Sequence, residues 1–328
     1  MKIGIAKLGQ KIYFNRDSKE VKRSNTNGNF GTYKLLTLLF ELNKFDTFYM
    51  LSESDLDMTY YPNAIPCCAD QNKLDVIILL PGLVLHKSDL DTLEVIKNSK
   101  CKLVILSDDP RCLRETLKYL KRKPDFIGMQ NNDFVEWNGN ILEGEYVPLE
   151  WAQCYKFVNP IYYYKRYDFM VIANTSGDKY NRISILKDLI SGLKVDIYGR
   201  LADTEKEMLG KENCIGEIDY DAMQKVLYRS MSTLIIPIEK DLVTSKYIEA
   251  IQNRVVPIFY KDYNTKLLNL DNYPFIVENK EQLVEKLNYI KNNAHKVNTI
   301  LDALYYTFVE QNIDGKRLNK IIKDIIIR

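Results

Sequence analysis

Residues 244–260 read TSKYIEAIQNRVVPIFY. The pattern is a helix carrying polar groups, a turn and a buried apolar strand. Lys246 and Glu249 stand three residues apart, on one helical face near the helix start. A carboxylate accepts two hydrogen bonds from a diol such as ribose, and a nearby ammonium suits a diphosphate. The pair could therefore hold both parts of one nucleotide. The plainer alternative is a surface ion pair worth about 0.2–0.5 kcal/mol.

Two further stretches offer chemistry. In ILSDDPR, Asp108 and Asp109 emerge where an apolar strand meets a helix with Pro110 in its first turn. One carboxylate there could act as general base on a substrate hydroxyl. Asp before Pro-Arg also suits a helix N-cap, so one of the two is expected to cap. In ANTSGDKYNR (173–182) a strand ends, small residues turn and a helix begins. Backbone N–H groups at such a turn, with Lys179 and Arg182 beside them, could cradle a phosphate. The alternative is a plain loop with solvated cations.

The elements around these stretches alternate. Apolar runs at 2–9, 74–82 and 101–109 read as buried parallel strands, and helical patterns follow them. Around 141–168 the pattern breaks into an aromatic, proline-marked stretch, read as an interdomain connection. A second alternation then runs from DFMVIANTSGD through KVDIYGR, STLIIPIEK and VVPIFY, with helices between and two more helical stretches after NKEQLVEKLNYIKNN. The expected fold is α/β, with two facing Rossmann-like domains and a central cleft. The boundaries are an N-terminal domain over 1–150, a connection over 151–168 and a C-terminal domain over 169–328 that includes the last helices.

Composition excludes several classes. The chain has 328 residues, enough for two such domains, and a net charge of only +2, so polyanion binding would need local patches. Two histidines, His86 and His295, exclude a His-rich metal site and argue against a Ser-His-Asp triad. Six cysteines without a C-x-x-C pair fit reduced thiols in a cytosol. MKIGIAKLGQ is too short an apolar stretch for a signal peptide, and no long apolar run predicts a membrane span. Neither G-x-G-x-x-G after the first strand nor G-x-x-x-x-G-K-[ST] occurs, which argues against a standard dehydrogenase and a P-loop NTPase.

Taken in order, these segments resemble the phage DNA β-glucosyltransferases, two-domain GT-B enzymes that move glucose from UDP-glucose to 5-hydroxymethylcytosine in DNA. The resemblance covers most of the chain. MKIGIAKLGQKIYFN resembles the family's opening strand and loop. VILSDDPR resembles a strand ending in Thr-Asp-x-Arg, whose Asp, the proposed base, corresponds to Asp108, with Asp109 beside it. ANTSGDKYNRISILKDLI resembles the diphosphate loop and helix, implying donor contacts from Ser176, Gly177 and Arg182; the family's earlier arginine has no counterpart. VDIYGR and IGEI match the next strand and turn, which adds Gly199 and Arg200 to the donor site. VTSKYIEAIQNRVVPIFYKDY resembles the Arg-x-x-Glu helix, with Lys246 in place of the arginine and Glu249 as the ribose-binding glutamate. The lysine keeps the charge and loses the bidentate fork. An acidic residue of the family's first helix aligns near Gly31, so Asp108 would serve as base alone.

The resemblance implies a UDP-sugar donor, glucose or arabinose, and double-stranded DNA containing hydroxymethylated cytosine as partner. A divalent cation, Mg or Mn, could assist the leaving diphosphate, although no dedicated ligand cluster is visible. DNA would meet basic segments carrying Lys11, Arg16, Lys22 and Arg23, and Arg111, Arg114 and Lys118, each of which could instead be a solvated face. A monomer in the cytoplasm of an infected bacterium is expected. Two rivals stand beside this reading: a GT-B enzyme with a glycan, lipid or protein acceptor, and a non-catalytic two-lobed nucleotide binder.

Overall fold

The computed structural model describes residues 1–9, 12–15, 20–23, 47–51, 54–55, 64–65, 74–130, 134–149, 167–173, 181–312 and 315–328; for 12–50, 54–55, 64–65, 134, 167 and 220–221 only the backbone is described. The chain divides into two compact units, Met1–Tyr155 with Asp314–Arg328, and Lys156–Ile313.

The first unit is built on a seven-stranded sheet: β1 (Lys2–Lys7), β2 (Thr47–Met50), β3 (Ala64–Ile65), β4 (Val76–Leu80), β5 (Lys102–Ser107), β6 (Phe126–Met129) and β7 (Glu145–Tyr146). Every pairing is parallel and the order is β7-β6-β5-β4-β1-β2-β3. A sheet covered on both faces wants uninterrupted apolar strands, and VIILL of β4 and LVIL within β5 are buried throughout. Helix α1 (Lys87–Asn98) follows β4 and α2 (Pro110–Tyr119) follows β5. Leu93, Ile96, Leu113 and Leu117 from these helices join Ile77, Leu79, Leu103 and Ile105 in one core. The strand order reverses between β1 and β4, and at such a switch point loops part and leave a crevice beyond the strand ends.

The second unit repeats the plan with β8 (Tyr167–Ile172), β9 (Asp196–Tyr198), β10 (Cys214–Gly216), β11 (Ser230–Ile235), β12 (Val256–Tyr260) and β13 (Ile276–Val277). All pairings are again parallel, in the order β10-β9-β8-β11-β12-β13, with the reversal between β8 and β11. Six helices accompany them: α3 (Arg182–Ile190), α4 (Asp203–Leu209), α5 (Tyr220–Arg229), α6 (Lys246–Gln252), α7 (Lys280–Asn292) and α8 (Ala294–Phe308). Both orders are the Rossmann order, so the expected fold class is what the chain adopts within each unit.

Two expectations need correction. The stretch from 141, read as connection, begins as structure of the first unit: Phe134–Trp137 and Asn140–Glu143 form an antiparallel hairpin, and β7 pairs with β6. The turn residues Asn138 and Gly139 both have positive φ, 48° and 76°, as a two-residue hairpin turn of this twist requires. The last helix, Lys316–Ile327, belongs to the first unit rather than to the C-terminal domain. Its apolar stripe Leu318, Ile322, Ile325 and Ile326 is buried. Lys102 Nζ donates to the carbonyls of Ile325 and Ile326 at 3.0 and 3.1 Å, and Arg328 pairs with Glu145 at 2.9 Å. Ile322→Ala leaves a cavity under this helix and is expected to cost about 2–5 kcal/mol, measured by denaturant unfolding.

Candidate active site

The carboxyl end of β5 sorts the two aspartates. Asp109 is the N-cap of α2: its carboxylate accepts the Arg111 backbone N–H at 2.8 Å and grips the Arg111 guanidinium at 2.7–3.2 Å. The Ser107 hydroxyl donates to the Asp109 carbonyl at 2.8 Å and fixes the turn. Asp108, one residue earlier, is half-buried at the end of the same strand. Arg111 is likewise taken up by Asp109, whereas Arg114 and Lys118 are exposed along α2, Lys118 pairing with Glu115 at 2.6 Å.

Lys7 was missed by sequence reasoning. It ends β1 at the switch point, is 8% exposed, and its Nζ donates to the Pro81 carbonyl at 2.8 Å. A buried ammonium is costly unless charge and carbonyl partners compensate it, and the cation closing an otherwise apolar strand was the available signal. Burial pushes the Cys112 thiol up to about 12, with the carboxylates of Asp109 and Asp108 adding to the rise and the charges of Lys7 and Arg111 opposing it. The carboxyl ends of β1 and β5 therefore bring one cation and two carboxylates to bear on the same first turn of α2.

In the second unit the candidate residues also gather beyond strand ends. Gly199 follows β9 with φ +140°, and a Cβ there would lie 1.5 Å from the carbonyl oxygen of Ala173, which follows β8. Only glycine lets these two chain segments touch, and they sit where the 173–182 stretch begins. Arg200 is exposed, and Arg182 is the half-buried first residue of α3, after Asn181 in the left-handed conformation. Ser176, Gly177 and Lys179 lie outside the described residues, as do Lys11, Arg16 and Gly31. Lys22 and Arg23 lie on the strand Glu20–Arg23, paired antiparallel with Ile12–Asn15.

Helix α6 carries the opening pair. Tyr247, Ile248, Ala250 and Ile251 are fully buried, and Tyr247 meets Phe308 of α8 edge-on at 5.3 Å. Glu249 is 7% exposed. Lys246 Nζ lies 3.6 Å from Glu249 Oε2, an ion pair beyond hydrogen-bond length, and that oxygen is buried without a hydrogen-bond partner. An unmatched buried acceptor costs about 1–3 kcal/mol, more when charged. A solvated surface ion pair would not be buried in this way; Gln224, Gln252 and Asn312 also keep a buried side-chain atom without a hydrogen-bond partner. Among the described residues no three His, Cys, Asp or Glu side chains come together to hold a metal ion, and no helix is long and apolar enough to cross a membrane.

Two Rossmann-type units in one chain are the GT-B fold. No family model and no curated protein matches the sequence. Solved structures do match. T4 phage BGT in complex with its UDP-glucose substrate superposes with a TM-score of 0.70 at 16% identity over 99% of each chain. The DNA modifying enzyme beta-glucosyltransferase, solved in the presence and absence of uridine diphosphoglucose, gives 0.71 at 17% identity over 100% of each chain. Trehalose-6-phosphate synthase OtsA gives 0.60 at 9% identity over 100% of this chain and 99% of that one. At these identities the likeness is one of fold.

Gly199→Ala is expected to be strongly destabilising, by at least about 3 kcal/mol, because both the backbone region and the Ala173 contact forbid a side chain. Thermal unfolding of the purified variant, or its failure to accumulate as folded protein, is the measurement.

Proposed function

We propose that the protein is a UDP-sugar-dependent glycosyltransferase that moves glucose or arabinose to 5-hydroxymethylcytosine in double-stranded DNA. The observation that carries the donor half is the buried, unpartnered Oε2 of Glu249 beside Lys246. An acceptor-only oxygen in that position suits the two hydroxyls of a ribose, and the ammonium suits the adjoining diphosphate. The fold likeness to a DNA-modifying glucosyltransferase bound to UDP-glucose supports the sugar donor and motivates the DNA acceptor.

In this reading the second unit binds the donor and the first the acceptor. Asp108 takes the proton from the hydroxymethyl O–H, and that oxygen forms the new bond to the anomeric carbon. The bond from this carbon to the diphosphate oxygen breaks, its electron pair leaves with UDP, and the configuration inverts. Arg182, Lys246 and the N–H groups of 175–177 take up the charge on the departing diphosphate. The sugar ends on a base that is inaccessible in the stack, so the nucleotide is flipped out for reaction. Lys11, Arg16, Lys22, Arg23, Arg114 and Lys118 supply the phosphate contacts, which makes DNA affinity fall steeply with salt; Arg111, expected to join them, is instead held by Asp109. T4 phage BGT has also been solved with UDP and Mn2+; among the described residues no three His, Cys, Asp or Glu side chains come together to hold such an ion.

The test is incubation with hydroxymethylcytosine DNA and single UDP-sugars, followed by mass analysis of the nucleosides. One added hexose or pentose per modified cytosine is expected. Asp108→Ala should lower turnover by about 10²–10⁴-fold while UDP affinity stays within about twofold. UDP binding without any DNA product would instead favour a glycan, lipid or protein acceptor, or a non-catalytic binder.

A further inference from the structure

The segment joining β11 to α6 leaves the sheet at its switch point and delivers a second polar atom that the fold does not use. Thr244 precedes Lys246 by two residues. Its Oγ1 is buried without a hydrogen-bond partner. Threonine hydroxyls ordinarily bond to neighbouring backbone groups. Here the nearest such groups are taken: the Tyr263 phenol accepts the Thr244 N–H at 2.9 Å and donates to the Thr244 carbonyl at 2.7 Å. Ser245, the cap residue of α6, makes no side-chain cap bond either.

Tyr263 is itself fixed. It is buried, and its ring lies 4.6 Å from that of Phe259 on β12, which in turn meets Tyr273 edge-on at 5.5 Å. The other end of the segment is tied by Asp241, whose N–H donates to the Asp262 carbonyl at 2.8 Å. The loop is thus clamped at both ends by one short stretch, residues 262–263. Side chains on a helix lean toward its N-terminus, so Glu249 reaches back toward the turn that Thr244 enters. Two buried oxygens without hydrogen-bond partners thus belong to residues at the start of α6, Thr244 just before its cap Ser245 and Glu249 in its first turn. Glu249 can only accept; the Thr244 hydroxyl can donate. A ligand satisfying both must present hydroxyls and an acceptor together, as a nucleoside diphosphate does.

We infer that Thr244 is a donor-binding residue whose hydroxyl gives a hydrogen bond to an oxygen of the nucleotide's diphosphate, and that Tyr263 is the positioning residue that aims it. The inference rests on the nucleotide reading of the Glu249 site. It assigns a protein–diphosphate contact to an uncharged side chain two residues before Lys246.

The experiment is calorimetric titration of UDP into the wild-type chain, Thr244→Val, Thr244→Ser and Tyr263→Phe, with the melting temperature of each unliganded protein. Thr244→Val is expected to weaken UDP binding about tenfold while leaving the melting temperature equal or higher, because a methyl replaces an unmatched hydroxyl. Thr244→Ser should restore binding. Tyr263→Phe should weaken UDP binding in the wild-type background and add nothing in the Thr244→Val background, a non-additivity that mere loss of packing would not produce. Unchanged UDP affinity in Thr244→Val, whatever its melting temperature, would overturn the inference and leave the nucleotide reading standing. A wild-type chain that does not bind UDP would overturn both.

Discussion

An all-parallel sheet has to be covered on both faces, and that requirement governs where this chain can place chemistry. The bodies of β4, β5 and β12 are apolar and buried nearly throughout, so they offer few reactive groups. The candidate residues stand at or after the carboxyl ends of strands. Lys7 ends β1, Asp108 follows β5, Ala173 follows β8, Gly199 follows β9, and Thr244 and Glu249 lie on the connection that leaves β11. The strand order reverses once in each sheet, between β1 and β4 and between β8 and β11, where loops part and leave a crevice beyond the strand ends.

Within those places the two units treat their polar groups differently. Around α2 the bonds are spent on structure: Asp109 caps the helix and holds Arg111. At α6 the opposite holds. The helix is anchored by its buried Tyr247, Ile248, Ala250 and Ile251, with Tyr247 against Phe308, and Glu249 and Thr244 each keep a buried oxygen without a hydrogen-bond partner. Native proteins rarely tolerate such atoms without a reason. A rigid, apolar-packed helix is a setting in which the cost can be carried without the side chain collapsing onto a neighbour.

Much of this was legible in the residues. Continuous apolar runs such as VIILL announced buried parallel strands, and their alternation with helical patterns announced two Rossmann units. The Lys246–Glu249 spacing placed both groups on one face of a helix that does form there. Other features were not legible, for physical reasons. Asp108 and Asp109 are chemically equivalent in sequence, and only the φ/ψ of the cap and the Arg111 contact separate them. The last helix carries an amphipathic stripe that fits either unit, and tertiary contacts from Lys102 and Glu145 decide which. Tyr263 acts on Thr244 from nineteen residues away through main-chain hydrogen bonds, a relation that no local pattern records. The hairpin at 134–143 was readable from Asn138-Gly139 and was passed over because the aromatic residues after it suggested a connection.

The central claim is that Glu249, ion-paired with Lys246 but without a hydrogen-bond partner on Oε2, takes the hydroxyls of a ribose. Its most direct test is to titrate UDP and its 2′-deoxy analogue into the wild-type chain and into Glu249→Gln. If the carboxylate takes the diol, the wild-type chain prefers UDP to the deoxy analogue by about tenfold, and the preference shrinks to near unity in Glu249→Gln. Equal affinity for both nucleotides in the wild-type chain, or a preference that survives Glu249→Gln, would contradict the account.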